Sequence, residues 1–157
     1  MLLLSKNENE ENALHLASKS LNGDSECLEY LLETPLKKCI NDVDKFGFTA
    51  LHLAAKLGQE DRVKILLEKG ANIELKDHKG NTALHLASSK GHLEVMQVLL
   101  DQNKGLNRMK NDKGRSPLHC AALFGQIDGV RMLLEEKLVN QPDKCGMTPL
   151  HLAAYDG

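Results

Sequence analysis

Five histidines recur along the chain at nearly regular intervals, and histidine is the side chain best suited to proton transfer near neutral pH and to binding transition metals. They are His15, His52, His85, His119 and His151, which lie 37, 33, 34 and 32 residues apart. Each occupies the same place in a repeated sequence, so successive copies should stand about one repeat apart instead of converging on one ion. We therefore expect these histidines to hydrogen-bond within the repeats, and we predict neither a metal site nor a catalytic site.

The remaining histidines and the cysteines give no stronger sign of chemistry. His78 and His92 fall outside the repeated position, and we expect both to be solvated surface residues. The four cysteines form no Cys-x-x-Cys pair and occupy unrelated places in the repeat: Cys27, Cys39, Cys120 and Cys145. This favours free thiols in a reducing compartment over a disulfide framework or a zinc site. Cys145, at a predicted hairpin tip, is expected to be an ordinary exposed thiol and not a redox sensor.

Composition excludes several further classes of function. A formal net charge of −2 and a pI near 6.4 give no reason to expect nucleic acid or an anionic membrane as partner. A basic run in one predicted loop and hairpin lacks interleaved aromatic residues, and a solvated loop is the favoured interpretation: Lys104, Arg108, Lys110, Lys113 and Arg115. The chain has no glycine-rich phosphate loop after a strand, no nucleophile elbow and no informative carboxylate pair. We predict no catalytic residues, no metal and no cofactor.

The elements that carry these residues are best seen in the second repeat. Asp44 to Gly47 has the composition of a tight turn, and Thr49 is a helix N-cap. The helix that follows should end at Gly58, and a second helix should run from Glu60 to Gly70. Only five residues are aromatic, so the core should consist of Leu, Ala, Val and Ile on closely packed helices.

The same pattern divides residues 1–157 into one array of units. Their approximate bounds are 9–43, 44–76, 77–110, 111–142 and a partial unit at 143–157. In the first unit, helices are expected at about 12–20 and 24–33, joined by Leu21-Asn22-Gly23. A period near 33 is typical of repeat proteins, in which each unit buries its core against its neighbours.

The shared pattern, Asp-x-x-Gly-x-Thr-Pro-Leu-His-Leu-Ala-Ala-x-x-Gly followed by a Val/Leu-rich helix, resembles the ankyrin repeat over about residues 9–157. The resemblance implies an all-α solenoid of stacked helix-turn-helix units with projecting β-hairpin loops. It also implies that the concave side, made of hairpin tips and first helices, binds other proteins.

The two ends depart from the family pattern. Glu10 stands where glycine is expected and Asn12 where threonine is expected, which predicts an irregular start to the first unit. The fifth unit reaches Gly157 where its second helix would begin. We therefore expect a piece of a longer protein, and the array resembles the long cytoplasmic arrays of transient receptor potential ankyrin-type cation channels.

Aligning the units shows which positions the scaffold leaves free: three in each hairpin and two at the end of each first helix. Four of the five aromatic residues fall there, and aromatic side chains dominate interface energies. Packing of these aromatics against adjacent units is the alternative. The predicted partner-binding residues are Lys45, Phe46, Phe48, Lys56, Leu57, Lys79, Lys90, Lys113, Arg115, Leu123, Phe124, Met147 and Tyr155.

These features predict a non-enzymatic interaction module or scaffold that binds a protein segment mixing apolar and acidic residues. Met1-Leu2-Leu3-Leu4 is too short to enter a membrane or to form a signal core. We expect no nucleic-acid binding, no membrane insertion by this stretch and a cytoplasmic location. The alternatives are a segment of a cation channel's cytoplasmic array and the targeting arm of a larger enzyme such as a ligase or kinase; the oligomeric state is left open.

Overall fold

The computed structural model describes residues 5–20 and 25–156, and over these ranges it is all-helical, with no β-strand. Its α-helices are α1 (Ala13–Lys19), α2 (Ser25–Glu33), α3 (Ala50–Lys56), α4 (Glu60–Glu68), α5 (Ala83–Lys90), α6 (Leu93–Gln102), α7 (Pro117–Leu123), α8 (Ile127–Leu133) and α9 (Pro149–Asp156). Short 3-10 helices at Pro35–Cys39 and Lys104–Arg108 follow α2 and α6. The predicted Leu21-Asn22-Gly23 connection and the Met1–Leu4 stretch lie outside the described residues.

Each first helix begins with the same reciprocal cap. In unit 2 the Thr49 hydroxyl accepts a hydrogen bond from the His52 backbone N–H at 3.3 Å, while the His52 ring accepts one from the Thr49 N–H at 3.1 Å. Two otherwise unpaired backbone donors are satisfied in this way, as in a capping box. The helix-start residues Asn12, Thr82 and Ser116 make the equivalent arrangement. The repeated sequence therefore sets where every first helix begins.

The helices form two parallel rows. The first helices α1, α3, α5, α7 and α9 pack side by side along the array, and each of the first four also packs on the second helix of its own unit. The second helices α2, α4, α6 and α8 form the other row. The core between the rows is aliphatic, as expected, and all five aromatic side chains lie outside it. The solenoid prediction is confirmed.

Hairpin loops stack along one edge of the array. In unit 2 the Asp44 N–H donates to the Phe48 carbonyl at 2.9 Å, and the Asp44 carboxylate accepts from the N–H groups of Phe46 and Phe48. Each hairpin also bonds to the next through its backbone, as in the His78 N–H to Phe46 carbonyl contact of 3.2 Å. Corresponding contacts follow at Asp112 and at Lys144.

Residues 7–12 form the same turn as the later hairpins, so the predicted departure from the repeat is wrong for this turn. The Asn7 side chain accepts from the N–H groups of Asn9 and Glu11 at 2.9 and 3.0 Å, as Asp44 does in unit 2. Glu10 adopts φ 60° and so takes the backbone conformation that glycine supplies in later units. Asn12 caps α1 in place of threonine, because its side-chain oxygen accepts from Leu14 and His15 N–H. A local turn-forming side chain is enough to replace the family residues here.

Apolar side chains are exposed at both extremes of the described array. Leu16 on α1 is 49% exposed, and Leu150 on α9 is 74% exposed. Among the described residues, no helix has the length and apolar content needed to cross a bilayer.

Candidate functional site

Three of the five repeated histidines lie inside the array and connect neighbouring units. The rings of His15, His52 and His85 place Nε2 3.0 to 3.1 Å from a backbone carbonyl of the following hairpin. In His52 and His85, Nδ1 accepts a backbone N–H from the start of the same helix, which places the proton on Nε2 of a neutral ring. Nδ1 of His15 lies close both to the Asn12 N–H and to the Asn12 side-chain oxygen. The acceptors are the carbonyls of Phe48, Asn81 and Arg115. These histidines hold the scaffold together, and the structure brings none of them to a common site.

Burial keeps these rings neutral. Desolvation lowers the pKa values of His15, His52 and His119, and it lowers the pKa of His85 to about 4. The carbonyl acceptors oppose this effect only in part. In His52 and His85, protonation would also place an N–H on Nδ1 facing a backbone N–H, which further disfavours the charged ring. These buried rings are therefore uncharged near pH 7 in the folded array.

The two histidines outside the repeat position differ from each other. His78 is exposed, as expected, at the tip of its hairpin. His92 is not a free surface residue: it is half-buried, and its Nε2 lies 3.2 Å from the Lys56 carbonyl at the end of α3. Its ring packs so closely on Gly58 that a Cβ there would come within 2.6 Å of Nδ1. The prediction for His92 was wrong because only its spacing relative to the repeat was considered, and not the contact between units.

Cysteine and metal chemistry finds little support in the described residues. All four cysteines are free, and burial raises the pKa of the Cys120 thiol to about 12, so that it stays protonated. Cys145 is exposed at its hairpin tip. No group of three His, Cys, Asp or Glu side chains in the described ranges is placed to hold a metal ion.

The predicted partner-binding residues lie on the face formed by the hairpin tips and the ends of the first helices, here called the hairpin face. In unit 2 the rings of Phe46 and Phe48 have centroids 6.3 Å apart. Lys45 places its ammonium 5.0 Å from the Phe46 centroid, and Lys56 places its own 4.9 Å from the Phe48 centroid. Phe48 is half-buried, whereas Phe46 is 55% exposed. Unit 2 therefore presents a compact aromatic and cationic cluster.

A cavity of about 490 Å³ opens on the same face between units 3 and 4, and we call it the unit 3–4 cavity. Five predicted partner-binding residues line it: Lys79, Lys113, Arg115, Leu123 and Phe124. Phe124 is 54% exposed, so its ring stands at the rim of the cavity. The structure thus brings together residues from two hairpins and one helix end that are separated by up to 45 positions in the sequence.

Arg115 is partly committed to the scaffold. Its Nε donates to the Asp143 carboxylate at 2.9 Å, and the two side chains are only 17% and 1% exposed. Although burial acts to raise it, the pKa of Asp143 is held below its usual value by Arg115 and by the N–H groups of Met147 and Cys145. This pair joins units 4 and 5, so Arg115 has less charge to offer a partner than the lysines beside it.

The remaining predicted residues are spread along the hairpin face. Leu57 and Lys90 lie at the ends of α3 and α5 and are exposed. Met147 is half-buried in the unit 5 hairpin, and Tyr155 is 81% exposed on α9. None of these four lines the unit 3–4 cavity.

Eight residues that line this cavity were not among the predicted partner-binding residues: His78, Asn81, His85, Leu86, Ser89, Asn111, Asp112 and Cys120. A usable signal was present in the aligned units. Asn81 and Ser89 occupy the positions of Phe48 and Lys56 in unit 2, so two large side chains are replaced by two small ones. A loss of side-chain volume on an otherwise repeated surface indicates a concavity.

Comparison with known proteins agrees with this architecture. The family model for ankyrin repeats (3 copies) matches residues 1–77 and 72–143. The transient receptor potential cation channel subfamily A member 1 homolog of Caenorhabditis elegans is 39% identical over 71 residues, which are 45% of this chain and 6% of that protein. The Homo sapiens transient receptor potential cation channel subfamily A member 1 is 38% identical over 76 residues, 48% of this chain and 7% of the relative. The chain therefore matches only a small part of each relative's length.

Proposed function

The chain belongs to the ankyrin-repeat family, and from this premise we propose that it is a non-enzymatic scaffold that binds a protein partner on its hairpin face. Ankyrin repeats are in general protein-interaction modules, and they act by presenting a surface on a rigid framework. The observation that carries the proposal is the exposure of Phe46 and Phe124, at 55% and 54%, on the hairpin face. The helical core contains neither ring, so the stacked fold does not require them.

Charge supports the same face. At the aligned free positions of units 2 to 4 there are six cations and one carboxylate: Lys45, Lys56, Lys79, Lys90, Lys113 and Arg115 against Asp112. Exposed carboxylates are instead common on the second helices, such as Asp61, Glu94 and Asp128. A positive face on a chain of net charge −2 attracts acidic segments and speeds their encounter with it.

The test is capture of partners by the immobilised chain from a cytosolic extract. Replacing Phe46 and Phe124 by serine is expected to lower the retained amount about tenfold or more, because exposed aromatic anchors dominate interface energies. Tyr30→Ser is the matched control, since Tyr30 is 70% exposed but lies on α2, away from the hairpin face. Circular dichroism verifies that all variants keep their helices. Equal retention by the double variant and the control would show that the hairpin face is not the binding surface.

We also propose that this array is a cytoplasmic segment of a cation channel. The similarity to two transient receptor potential channels supports this second proposal. The experiment is to sequence the native transcript on both sides of the region that encodes residues 1–157. About six apolar stretches, each near 20 residues, would support a channel. A coding sequence without such stretches would contradict it and leave the scaffold function untouched.

A further inference from the structure

We propose that the unit 3–4 cavity is the anchor point of the hairpin face, and that it takes a large apolar side chain of an extended peptide flanked by aspartate or glutamate. This inference rests on the proposed scaffold function, because it assigns the chemistry of the partner on the same face. At about 490 Å³ the cavity has room for a large side chain. It can therefore hold a side chain that a flat surface would leave in water.

The cavity exists because two bulky side chains of unit 2 have small counterparts in unit 3. In unit 2 the space beside the first helix is occupied by Phe48, with Lys56 over its ring. In unit 3 the same positions carry Asn81 and Ser89. The Asn81 amide is hydrogen-bonded to Asp77 and Asn111, so it is held at the base of the hairpins. The space filled by aromatic ring and aliphatic chain in one junction is open in the next.

The walls of the cavity suit an apolar group. Leu86 on α5 is half-buried, and so is Leu123 at the end of α7. The Phe124 ring adds an exposed aromatic surface at the rim. Cys120 behaves as a small apolar residue here, since its thiol stays protonated. An aromatic or long aliphatic side chain from a partner would bury apolar area against all four residues, which is the main source of affinity at interface anchors.

The rim of the cavity suits carboxylates. Lys79 and Lys113 come from successive hairpins, and in the described part of the chain their ammonium groups have no ion pair and no hydrogen-bond acceptor. The other ionisable side chains around the hairpin rim are His78, Asp112 and Arg115, and Arg115 is already paired with Asp143. Two unpaired cations against one carboxylate leave the rim positive. Negative side chains on each side of an apolar anchor complement this arrangement.

The shape of the site favours a peptide as the occupant. The cavity is recessed between two hairpins, so a flat bilayer surface would meet the lysines but not Leu86 or Leu123. The apolar wall offers no favourable contact to the phosphate backbone of a nucleic acid, which would be bound by charge alone. An extended segment can place one side chain in the cavity and the side chains two positions before and after it at Lys79 and Lys113, because alternate side chains of an extended strand point to the same side.

The experiment is selection of random peptides against the intact chain, followed by affinity measurement of the enriched peptides by fluorescence anisotropy. We expect the enriched sequences to combine an aromatic or long aliphatic residue with aspartate or glutamate within three positions. Substituting alanine for the apolar residue should weaken binding about tenfold or more. Lys79→Gln and Lys113→Gln should each weaken it about threefold, and salt should reduce the effect of both.

The decisive variant is Ser89→Lys, which copies the residue of unit 2 into unit 3. It adds a positive charge to the face while filling the cavity. Attraction by charge alone would make an acidic peptide bind more tightly to this variant, whereas anchoring in the cavity makes binding about tenfold weaker. Asn81→Phe with Ser89→Lys should abolish binding. Gln97→Lys is the control, because it adds the same charge on the exposed surface of α6, away from the hairpin face. Since unit 2 already folds with Phe48 and Lys56, the graft is compatible with the repeat.

Three results would overturn the inference. The first is that no enriched peptide binds more weakly to the Ser89→Lys variant than to the wild type. The second is enrichment of acidic peptides without an apolar residue. The third is full competition by inorganic phosphate or by anionic phosphatidylserine vesicles at matched charge. If peptides lose binding with Phe46→Ser alone but ignore Ser89→Lys, the scaffold function stands and only the cavity assignment fails. If the affinity of the peptides is unchanged by every hairpin-face variant, the scaffold proposal itself fails.

Discussion

Replacing His85 by glutamine is expected to make the stability of the array much less sensitive to acid. The His85 ring is 1% exposed and neutral in the fold, with Nδ1 accepting from the Thr82 N–H and Nε2 donating to the Arg115 carbonyl. Its pKa is lowered from 6.5 to about 4 because burial disfavours the charged ring. In the unfolded chain the ring titrates near 6.5.

The sign and size follow from proton linkage. The pKa of His85 is lower in the folded array than in the unfolded chain. The contribution of the neutral His85 ring to the free energy of unfolding is therefore complete above pH 6.5 and is lost as the pH falls towards 4. A separation from 6.5 to about 4 corresponds to about 3 kcal/mol once both states are past their midpoints. Between pH 8 and pH 5 the loss attributable to His85 is about 2 kcal/mol. Above pH 5 most carboxylates remain ionised, which keeps this window largely specific for histidine.

The assay is urea unfolding followed by circular dichroism, repeated at half-unit steps from pH 8 to pH 5. The glutamine variant should be less stable at pH 8, since the Thr82 N–H and the Arg115 carbonyl lose their partner, but its stability should fall by about 2 kcal/mol less than that of the wild type over the range. His15, His52 and His119 keep their own dependence in both proteins, so the difference between the slopes isolates His85. His151→Gln is the control because that ring is exposed. Equal slopes for wild type and His85→Gln would refute the reasoning.

Three other substitutions test the local structure through urea unfolding. Gly129→Ala should stabilise the array by about 1 kcal/mol, because a Cβ at this helical glycine would meet its nearest atoms at 3.5 Å or more. Gly125→Ala should destabilise the array, because Gly125 has φ +63°. Stabilisation by both substitutions, or by neither, would contradict this. Asn12→Thr should stabilise by about 1 kcal/mol, since it keeps the cap and removes a buried amide nitrogen that lacks a partner in the described residues, and Asn12→Ala should destabilise by about 1 kcal/mol. Glu10→Gly should stabilise by about 0.5 kcal/mol through relief of its positive φ, and a loss of stability would show that its side chain matters.

The repeat made most of the fold predictable, because its signals are local. A threonine three residues before a histidine defines a cap, and glycines after the first helices of units 2 to 4 define their ends, as at Thr49 and Gly58. The start of unit 1 was mispredicted because the comparison was made by residue identity. Asn7 and Asn12 form the same hydrogen bonds as aspartate and threonine, and Glu10 tolerates the same backbone conformation.

The candidate site was less predictable because it depends on contacts across units. Alignment of the units showed that the repeat fold does not require Lys79, Lys113 and Phe124, but it did not show that they surround a cavity. That cavity results from the side chains missing at Asn81 and Ser89, and a search for large residues overlooks it. The pairing of Arg115 with Asp143 likewise joins different hairpins, and nothing in either unit alone indicates it.

The histidine bonds between units also determine how the array yields under load. Units joined only to their neighbours behave as springs in series, so an applied tension is equal at every junction. The most compliant junction therefore extends furthest. The His15, His52 and His85 rings each bridge a junction, but His119 Nε2 lies near the Gln141 and Met147 carbonyls without a bond of good geometry to either. Apart from the packing of α7 on α9, the contacts that hold the junction between units 4 and 5 are therefore the hairpin backbone bond and the Arg115–Asp143 pair. In a pulling experiment it should be the first of the four junctions to open, at a force that added salt changes little because the pair is largely buried.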